Sequence, residues 1–248
     1  MAKSGGSRGG PRRPSGGPGR PKRDAGTKRP AKSAAPKKKA VPAEALPAPE
    51  PMPEVFVLGA IPGATPGGWI DAWNERMPQT RLELRPIAVA AQRSALVHEE
   101  VDAALVRLPI DKTGLSVIAL YDETAVVVAS ADSHLTAVDE LELDDLVGEV
   151  LIVPHDDVLG LAVPGTVAPS FAPPEDTEQA IATVAAGVGI VIVPMSLARL
   201  HRRKDTAYRP LRDAAVSTVA LAWPTERTTA SVDAFVGIVR GRTPNSSR

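Results

Sequence analysis

The sequence contains no cysteine and few aromatic residues, which removes several classes of protein. Without cysteine there is no disulfide framework, no thiolate nucleophile and no cysteine-bearing metal site. The four histidines, His98, His134, His155 and His201, share no metal-ligand spacing. Aromatic residues make up only 3% of the chain, so few side chains are available to stack on the bases of single-stranded nucleic acid. Because no nucleophile–base pair or metal cluster is present, we predict a protein that is not an enzyme and needs no cofactor.

Long apolar runs are also missing. None approaches the roughly 20 residues that cross a bilayer, and no apolar segment of a secretory signal follows the basic N-terminus. We therefore expect no membrane partner, and a location in the cytoplasm or on the nucleoid.

What the sequence does have is a strong charge asymmetry, hidden by a formal net charge of zero. Residues 1–40 hold 13 of the 29 basic side chains and a single acid, Asp24, which gives this segment a charge of +12. The other 208 residues hold 16 basic and 28 acidic side chains and carry −12. Such opposition between two parts of a chain suggests an interaction tail attached to an acidic body.

Residues 1–53 are predicted to be a disordered basic tail followed by a linker. Gly, Pro, Ser, Ala and Lys/Arg dominate up to residue 40, without apolar periodicity. Such a segment buries too little apolar surface to offset its ordering entropy. Residues 41–53 alternate Pro, Ala and Glu, as in a semi-stiff polyproline-like spacer. Residues 243–248 are predicted to be disordered as well.

The tail carries the candidate nucleic-acid contacts. Residues 18–23, PGRPKR, resemble an AT-hook core, in which Gly-Arg-Pro lies in a narrow, strongly negative minor groove. Nearby basic clusters could make many phosphate contacts with DNA or RNA. The alternative is a solubilising or ribosome-adhering tail. The predicted contacts are Arg12, Arg13, Gly19, Arg20, Pro21, Lys22, Arg23, Lys28, Arg29, Lys37, Lys38 and Lys39.

From Val55 onward, short β-rich runs alternate with helical patterns, which predicts an α/β fold with parallel sheets covered on both faces. Residues 154–174 are rich in Pro and Gly and should carry little regular structure. The predicted strands span 55–60, 81–85, 102–108, 115–121, 125–130, 150–153, 190–193, 208–211 and 218–223. The predicted helices span 67–76, 90–99, 141–146, 177–186, 195–200 and 230–240.

Three phrases in this order resemble the effector-binding domain of LysR-type transcriptional regulators. They are VFVLGAIPGATPGGWIDAWNERMPQTRLELR, HEEVDAALVRLPIDKTGLSVIALYDETAVVVASADSHLT and, most specific, EQAIATVAAGVGIVIVPMSLARL. The resemblance implies two α/β lobes, as in type 2 periplasmic binding proteins, with a small-molecule cleft at the hinge and a side-by-side homodimer. It covers about residues 54–242, with lobe I at about 54–123 and 212–242 and lobe II at about 124–211. Nothing before Val55 matches the family's winged helix-turn-helix.

The loop 61–68, IPGATPGG, follows a strand and opens a helix, where backbone N–H groups can bind an anion. Thr65 and Gly67 are therefore candidate ligand contacts. The alternative is a turn in which Gly and Pro serve only backbone geometry and Thr65 caps the helix. The loop lacks the Gly-Lys-Ser/Thr ending of a P-loop.

Three further ligand contacts follow from the position of loops at the carboxyl ends of strands. Gln92 could donate and accept, and Arg107 could pair with a carboxylate. Thr177 lies at a helix N-terminus expected to face the cleft. The alternatives are an internal salt bridge for Arg107 and plain capping for Thr177. His155-Asp156-Asp157 is interpreted as a surface loop. In the family resemblance, Ala88 and Ala90 occupy positions that often carry Ser or Thr.

The leading hypothesis is a LysR-like module that binds an unknown small-molecule effector and serves transcription regulation, with a basic tail that binds nucleic acid. The alternative is a nucleoid- or RNA-associated protein that uses the domain only as a dimerisation platform.

Overall fold

The computed structural model describes residues 53–241. The predictions for residues 1–52, which include every nucleic-acid contact and the missing winged helix-turn-helix, lie outside the described residues. So does the prediction for residues 243–248.

Two separate sheets organise the described chain. The first has five strands in the order β2-β1-β3-β8-β4. Its strands are β1 (Val55–Ala60), β2 (Arg81–Pro86), β3 (Ala103–Arg107), β4 (Leu115–Glu123) and β8 (Ser217–Pro224). The second has three strands in the order β6-β5-β7, namely β5 (Ala125–Ser130), β6 (Val191–Pro194) and β7 (Thr206–Pro210). We call the parts around these sheets lobe I and lobe II. The two-lobed α/β fold is confirmed.

Five α-helices cover the sheets. They are α1 (Gly67–Arg76), α2 (Gln92–Val97), α3 (Thr177–Ala185), α4 (Met195–Leu200) and α5 (Ala230–Val239). Short 3-10 helices occupy Val89–Ala91, His134–Ala137, Leu143–Leu146 and Thr225–Arg227. None of the helices within residues 53–241 has the length and apolarity needed to cross a membrane.

The prediction of parallel sheets was wrong for most strand pairs. Among the eight strands of residues 53–241, only β1 pairs in parallel, with β2 and with β3. The pairs β3–β8 and β4–β8 are antiparallel, and so are both pairs of lobe II. The cause is the double crossover: the chain leaves lobe I after β4 and re-enters it at β8, so these neighbouring strands run in opposite directions. Alternation of strands and helices does not reveal such a crossover.

Three predicted elements differ locally from the structure. The expected helix at 141–146 is a 3-10 helix over Leu143–Leu146, and Leu141 instead forms a β-bridge with Leu211. The expected strand at 150–153 is reduced to isolated bridges, Val150 with Val167 and Leu151 with Ile190. The expected helix at 90–99 ends at Val97, and Glu99 takes a left-handed conformation with φ 61°. Residues 154–174 contain neither helix nor strand, as predicted. With so little regular structure after it, the 150–153 segment has no long neighbouring strand to pair with.

Both faces of each sheet are buried. In lobe I, one face packs an aromatic cluster in which the rings of Phe56 and Trp73 stack with centroids 4.7 Å apart, and Phe235 of α5 completes it. The other face of lobe I buries an aliphatic cluster against α2 that includes Leu96 and Val106. In lobe II, apolar clusters likewise lie on both faces of the β5 strand. This layering holds the loops at the strand ends in fixed positions.

The two crossovers that join the lobes are short. The first connects the end of β4 at Glu123 to the start of β5 at Ala125, so a single residue, Thr124, links the sheets. The second runs from the end of β7 at Pro210 to the start of β8 at Ser217. The space on either side of these crossovers is where side chains from both lobes meet.

Candidate functional site

An interlobe cleft of about 500 Å³ opens between the loops of lobe I and the helices of lobe II. Lobe I contributes the loops that follow β1 and β2, and lobe II contributes the start of α3 and one face of α4. Such a volume is in the range of small-molecule sites. Its apolar wall consists of Pro62, Ala88, Val89, Ala90, Val158, Leu197 and Leu200.

The polar side of the interlobe cleft is acidic. Its polar residues are His155, Asp156, Asp157, Asp176, Glu178 and His201, and no Lys or Arg stands among the residues that line it. The Glu178 carboxylate lies 4.0 Å from Nδ1 of His201. No group of three or more His, Asp or Glu in residues 53–241 is placed to hold a metal ion. The cleft is therefore lined by four carboxylates and two imidazoles.

Two of these carboxylates are held in place by α3. Oδ1 of Asp176 accepts a hydrogen bond of 2.8 Å from the Gln179 amide and so caps the helix. Asp156 accepts a hydrogen bond of 2.9 Å from Oγ1 of Thr177, which is 2% exposed. Thr177 begins α3, between the cleft-lining residues Asp176 and Glu178, and its hydroxyl holds Asp156 in place. Asp176 is the N-cap of α3, so the capping alternative for Thr177 is wrong, and its contact with a ligand stays a prediction.

The structure places Gln92 and Arg107 beneath the surface, and they do not line either of the cavities described here. Gln92 is 6% exposed, and its side-chain amide bonds both backbone groups of Arg107: Nε2 donates to the carbonyl at 2.9 Å, and Oε1 accepts from the N–H at 2.8 Å. The Arg107 guanidinium is 2% exposed and pairs with Glu123, with 2.8 Å between Nη1 and Oε2. For Arg107, the internal salt bridge is the alternative that the structure shows. Sequence patterns place a residue near a loop but do not show which polar partner lies behind it.

Thr65 belongs to a second space, which we call the hinge cavity. It measures about 540 Å³ and lies where the loop after β1, the end of β4 and the start of α4 meet. Helix α1 begins after Pro66 without a side-chain cap, so the capping alternative for Thr65 is wrong. Gly67 is exposed at the first position of α1 and lines neither cavity. The single cleft expected between Thr65, Gln92, Arg107 and Thr177 is thus two cavities on either side of α4.

Several site residues were missed from the sequence. The tripeptide His155-Asp156-Asp157, interpreted as a surface loop, lines the interlobe cleft. It does so because the bridge between Leu151 and Ile190 anchors the preceding residues beside β6. Glu123 and Ser196 line the hinge cavity. Glu123 could have been suspected because it ends a strand directly before a predicted change of lobe, whereas nothing in the sequence distinguishes Ser196.

Comparisons with solved structures show the same fold. The BenM effector binding domain with its effector benzoate superposes with a TM-score of 0.62 at 22% identity, over 75% of this chain and 90% of that one. The reduced OxyR regulatory domain from Pseudomonas aeruginosa gives a TM-score of 0.59 at 24% identity, over 75% and 96% of the two chains. At these identities the likeness shows the fold alone.

Sequence comparison identifies a curated relative and the family. The HTH-type transcriptional regulator AlsR of Bacillus subtilis (strain 168) is 24% identical over 149 residues, which are 56% of this chain and 49% of AlsR. The chain thus spans about half the length of this relative. Residues 56–244 match the family described as the LysR substrate binding domain. The resemblance seen in the three sequence phrases is confirmed, and the chain belongs to the LysR substrate-binding domain family.

Proposed function

We propose that this protein is an effector-binding module that senses a small molecule in the interlobe cleft. The observation that carries the proposal is a cleft of about 500 Å³ with an apolar wall, built from both lobes of a LysR substrate-binding domain. A ligand that contacts both lobes favours one lobe arrangement over others, because it binds that arrangement more tightly.

The charge of the cleft supports a positively charged effector. Four carboxylates line the cleft with two imidazoles, and the wall at Ala88 and Ala90 offers no side-chain donor to an anion. Oδ2 of Asp156 and Oδ2 of Asp176 accept no hydrogen bond from residues 53–241, since the bonds described above use Oδ1. A ligand carboxylate would be repelled here, whereas an ammonium or amidinium on an apolar body would be attracted.

Thermal-shift measurements on charge-matched ligand pairs test this proposal. Benzylamine is compared with benzoate, and pentylamine with pentanoate. A specific ligand raises the melting temperature because it binds the folded state only. We expect the amines to stabilise the protein and the carboxylates to have no effect.

Two variants connect the effect with the cleft. Asp156→Asn removes a charge but keeps an oxygen for the Thr177 hydroxyl, so it should weaken amine binding without loss of fold. Asp132→Asn removes an exposed charge that lies outside the described cavities and should change nothing. If only the carboxylates stabilise the protein, the proposal of a positively charged effector is contradicted, but the proposal of an effector-binding module stands. If neither class of ligand stabilises the protein, the proposal of an effector-binding module is contradicted.

We further propose that residues 1–40 bind nucleic acid, mostly without sequence specificity, and that the protein is a homodimer. The +12 charge of this segment supports phosphate contacts, and two tails in one dimer would raise avidity without new contacts. The resemblance of residues 18–23 to an AT-hook supports a preference for A·T-rich duplexes. Anisotropy measurements on A·T-rich and G·C-rich duplexes, with and without residues 2–40, test this. DNA binding that persists after the deletion would contradict it.

The second candidate, a nucleic-acid-associated protein with the domain as a dimerisation platform, shares the tail and differs at the cleft. It predicts dimers and tail-dependent DNA binding without stabilisation by any small molecule. The thermal-shift series separates the two functions, because both predict a dimer and tail-dependent DNA binding.

A further inference from the structure

The hinge cavity lies between the lobes but is separate from the interlobe cleft. Helix α4 stands between them: Met195, Ser196 and Arg199 line the hinge cavity, and Leu197 lines the cleft together with His201, which follows the helix. Leu200 lines both. The opposite wall comes from lobe I, at the end of β4 and the loop after β1. With about 540 Å³, the hinge cavity is large enough for a small ligand of its own.

A buried carboxylate faces this cavity with one oxygen in use and one available. The Glu123 side chain is 9% exposed. Its Oε2 accepts hydrogen bonds from Nη1 of Arg107 at 2.8 Å and from Oγ of Ser196 at 2.9 Å. Oε1 accepts no hydrogen bond from residues 53–241. Oε1 is also not one of the fully buried side-chain atoms that lack a partner in the described chain, so it is accessible from the cavity. An accessible oxygen on an otherwise buried carboxylate favours a donor from a ligand.

The two ends of the hinge cavity carry charges of opposite sign. On the lobe I side, Asp122 and Glu123 are adjacent, and Arg107 balances only one of the two negative charges. On the lobe II side, Arg199 lines the cavity, and its Nε lies 3.4 Å from the hydroxyl of Tyr208. Arg199 forms no ion pair with a described residue. One end of the cavity is therefore anionic and the other cationic.

From this arrangement we propose that the hinge cavity is a second ligand site and that it binds a small zwitterion of the α-amino-acid class. The ammonium group is bound at the Asp122–Glu123 end and donates to Oε1 of Glu123, while the carboxylate is bound by the Arg199 guanidinium. Ala64, Met195 and Leu200 supply an apolar wall for an aliphatic side chain. Because the two ends belong to different lobes, the bound zwitterion links them.

Calorimetric titration of the full chain carrying Asp156→Asn tests the proposal, with L-leucine and its two singly charged analogues as ligands. The substitution should weaken amine binding in the interlobe cleft, so the titration reports on the hinge cavity. 3-Methylbutylamine lacks the carboxylate and 4-methylpentanoate lacks the ammonium group. Each loss removes a charge-assisted contact, so we expect each analogue to bind at least about tenfold more weakly than leucine. L-valine and L-methionine are titrated in parallel, so that the result does not depend on one side chain.

Two matched variants locate the binding. Arg199→Met keeps the aliphatic part of the side chain and removes the charge, and we expect it to weaken amino-acid binding about tenfold or more. Arg202→Met removes an exposed charge two residues after α4, outside both cavities, and should bind as the parent protein does. Circular dichroism checks that both variants are folded. The proposal is overturned if the amine binds as well as leucine, if Arg199→Met binds normally, or if none of the three amino acids binds at about 10 mM.

Discussion

Arg107 and Glu123 are 16 residues apart in the chain, yet Nη1 and Oε2 lie 2.8 Å apart in an ion pair whose side chains are 2% and 9% exposed. The pair also contacts two hydroxyls: Nη1 of Arg107 donates to Oγ of Ser217 at the start of β8, and Oγ of Ser196 in α4 donates to Oε2 of Glu123. Arg107 and Glu123 belong to lobe I and Ser196 to lobe II. The pair therefore connects both lobes at the point where the chain passes between them.

Removing one member of this pair should be far more harmful than removing both. Glu123→Gln leaves the Arg107 charge buried without a counter-ion, and Nε and Nη2 of Arg107 already lack partners within the described chain. The loss of one partner of a buried pair typically costs about 3–5 kcal/mol, whereas replacing both by apolar or neutral groups can be close to neutral. We expect Arg107→Met/Glu123→Gln to recover most of the stability lost in Glu123→Gln.

Urea unfolding of the two single variants and the double variant measures this coupling. If the double variant loses as much unfolding free energy as Arg107→Met and Glu123→Gln lose together, the ion pair is not the dominant interaction of these two residues.

Arg107 also shows what could and could not be predicted from the sequence. The alternation of apolar runs located most strands and helices, and the VAAGVGIVIVP phrase fixed the family, because both depend on local pattern. The ends of β1 and β2 pointed to the loops that follow these strands, and these loops line the two cavities. The partners of Arg107 could not be predicted, because Gln92 and Ser217 are brought to it by packing and by a crossover of the chain. The split of one expected cleft into two cavities depends on the position of α4, which no local pattern encodes.

Tyr121, which lines the hinge cavity, should titrate above the ordinary tyrosine range. Burial raises the pKa of its phenol, the negative charge of Glu123 raises it further, and Arg107 opposes both. Folding thus favours the neutral phenol. The resulting stability is fully present below the unfolded pKa of about 10 and is lost as the pH rises through the higher folded pKa.

The chain has two tyrosines, so Tyr208→Phe leaves Tyr121 as the one reporter. Ultraviolet absorbance of the tyrosinate is followed against pH in the folded protein and in urea. We expect the folded midpoint to lie above the unfolded one, and coincident midpoints would show that the cavity wall does not shield this side chain.

Gly63 in the loop after β1 lies against Ser196 of lobe II, and we expect alanine there to be poorly tolerated. Gly63 has φ +83°, and a Cβ built on it would lie 2.5 Å from Oγ and 2.9 Å from Cβ of Ser196. Gly63→Ala therefore combines a left-handed backbone, which costs about 1–2 kcal/mol for a residue with a Cβ, with overpacking of about 1–3 kcal/mol. The displaced Ser196 would also lose its hydrogen bond to Glu123.

Gly114 separates these two costs. It has φ +74°, but a Cβ there meets nothing within 4 Å, so Gly114→Ala should carry the backbone cost alone. Chemical denaturation should then show Gly63→Ala to be the more destabilised by roughly the overpacking cost. Ser196→Gly removes the two atoms that lie within 3 Å of the new Cβ and leaves Cδ2 of Leu197 at 3.3 Å. Combining it with Gly63→Ala should therefore bring the loss down toward that of Gly114→Ala plus the cost of glycine in α4, about 1 kcal/mol. If the two alanine variants are equally stable, the lobes yield at this contact, and Ser196 is not a fixed link between them.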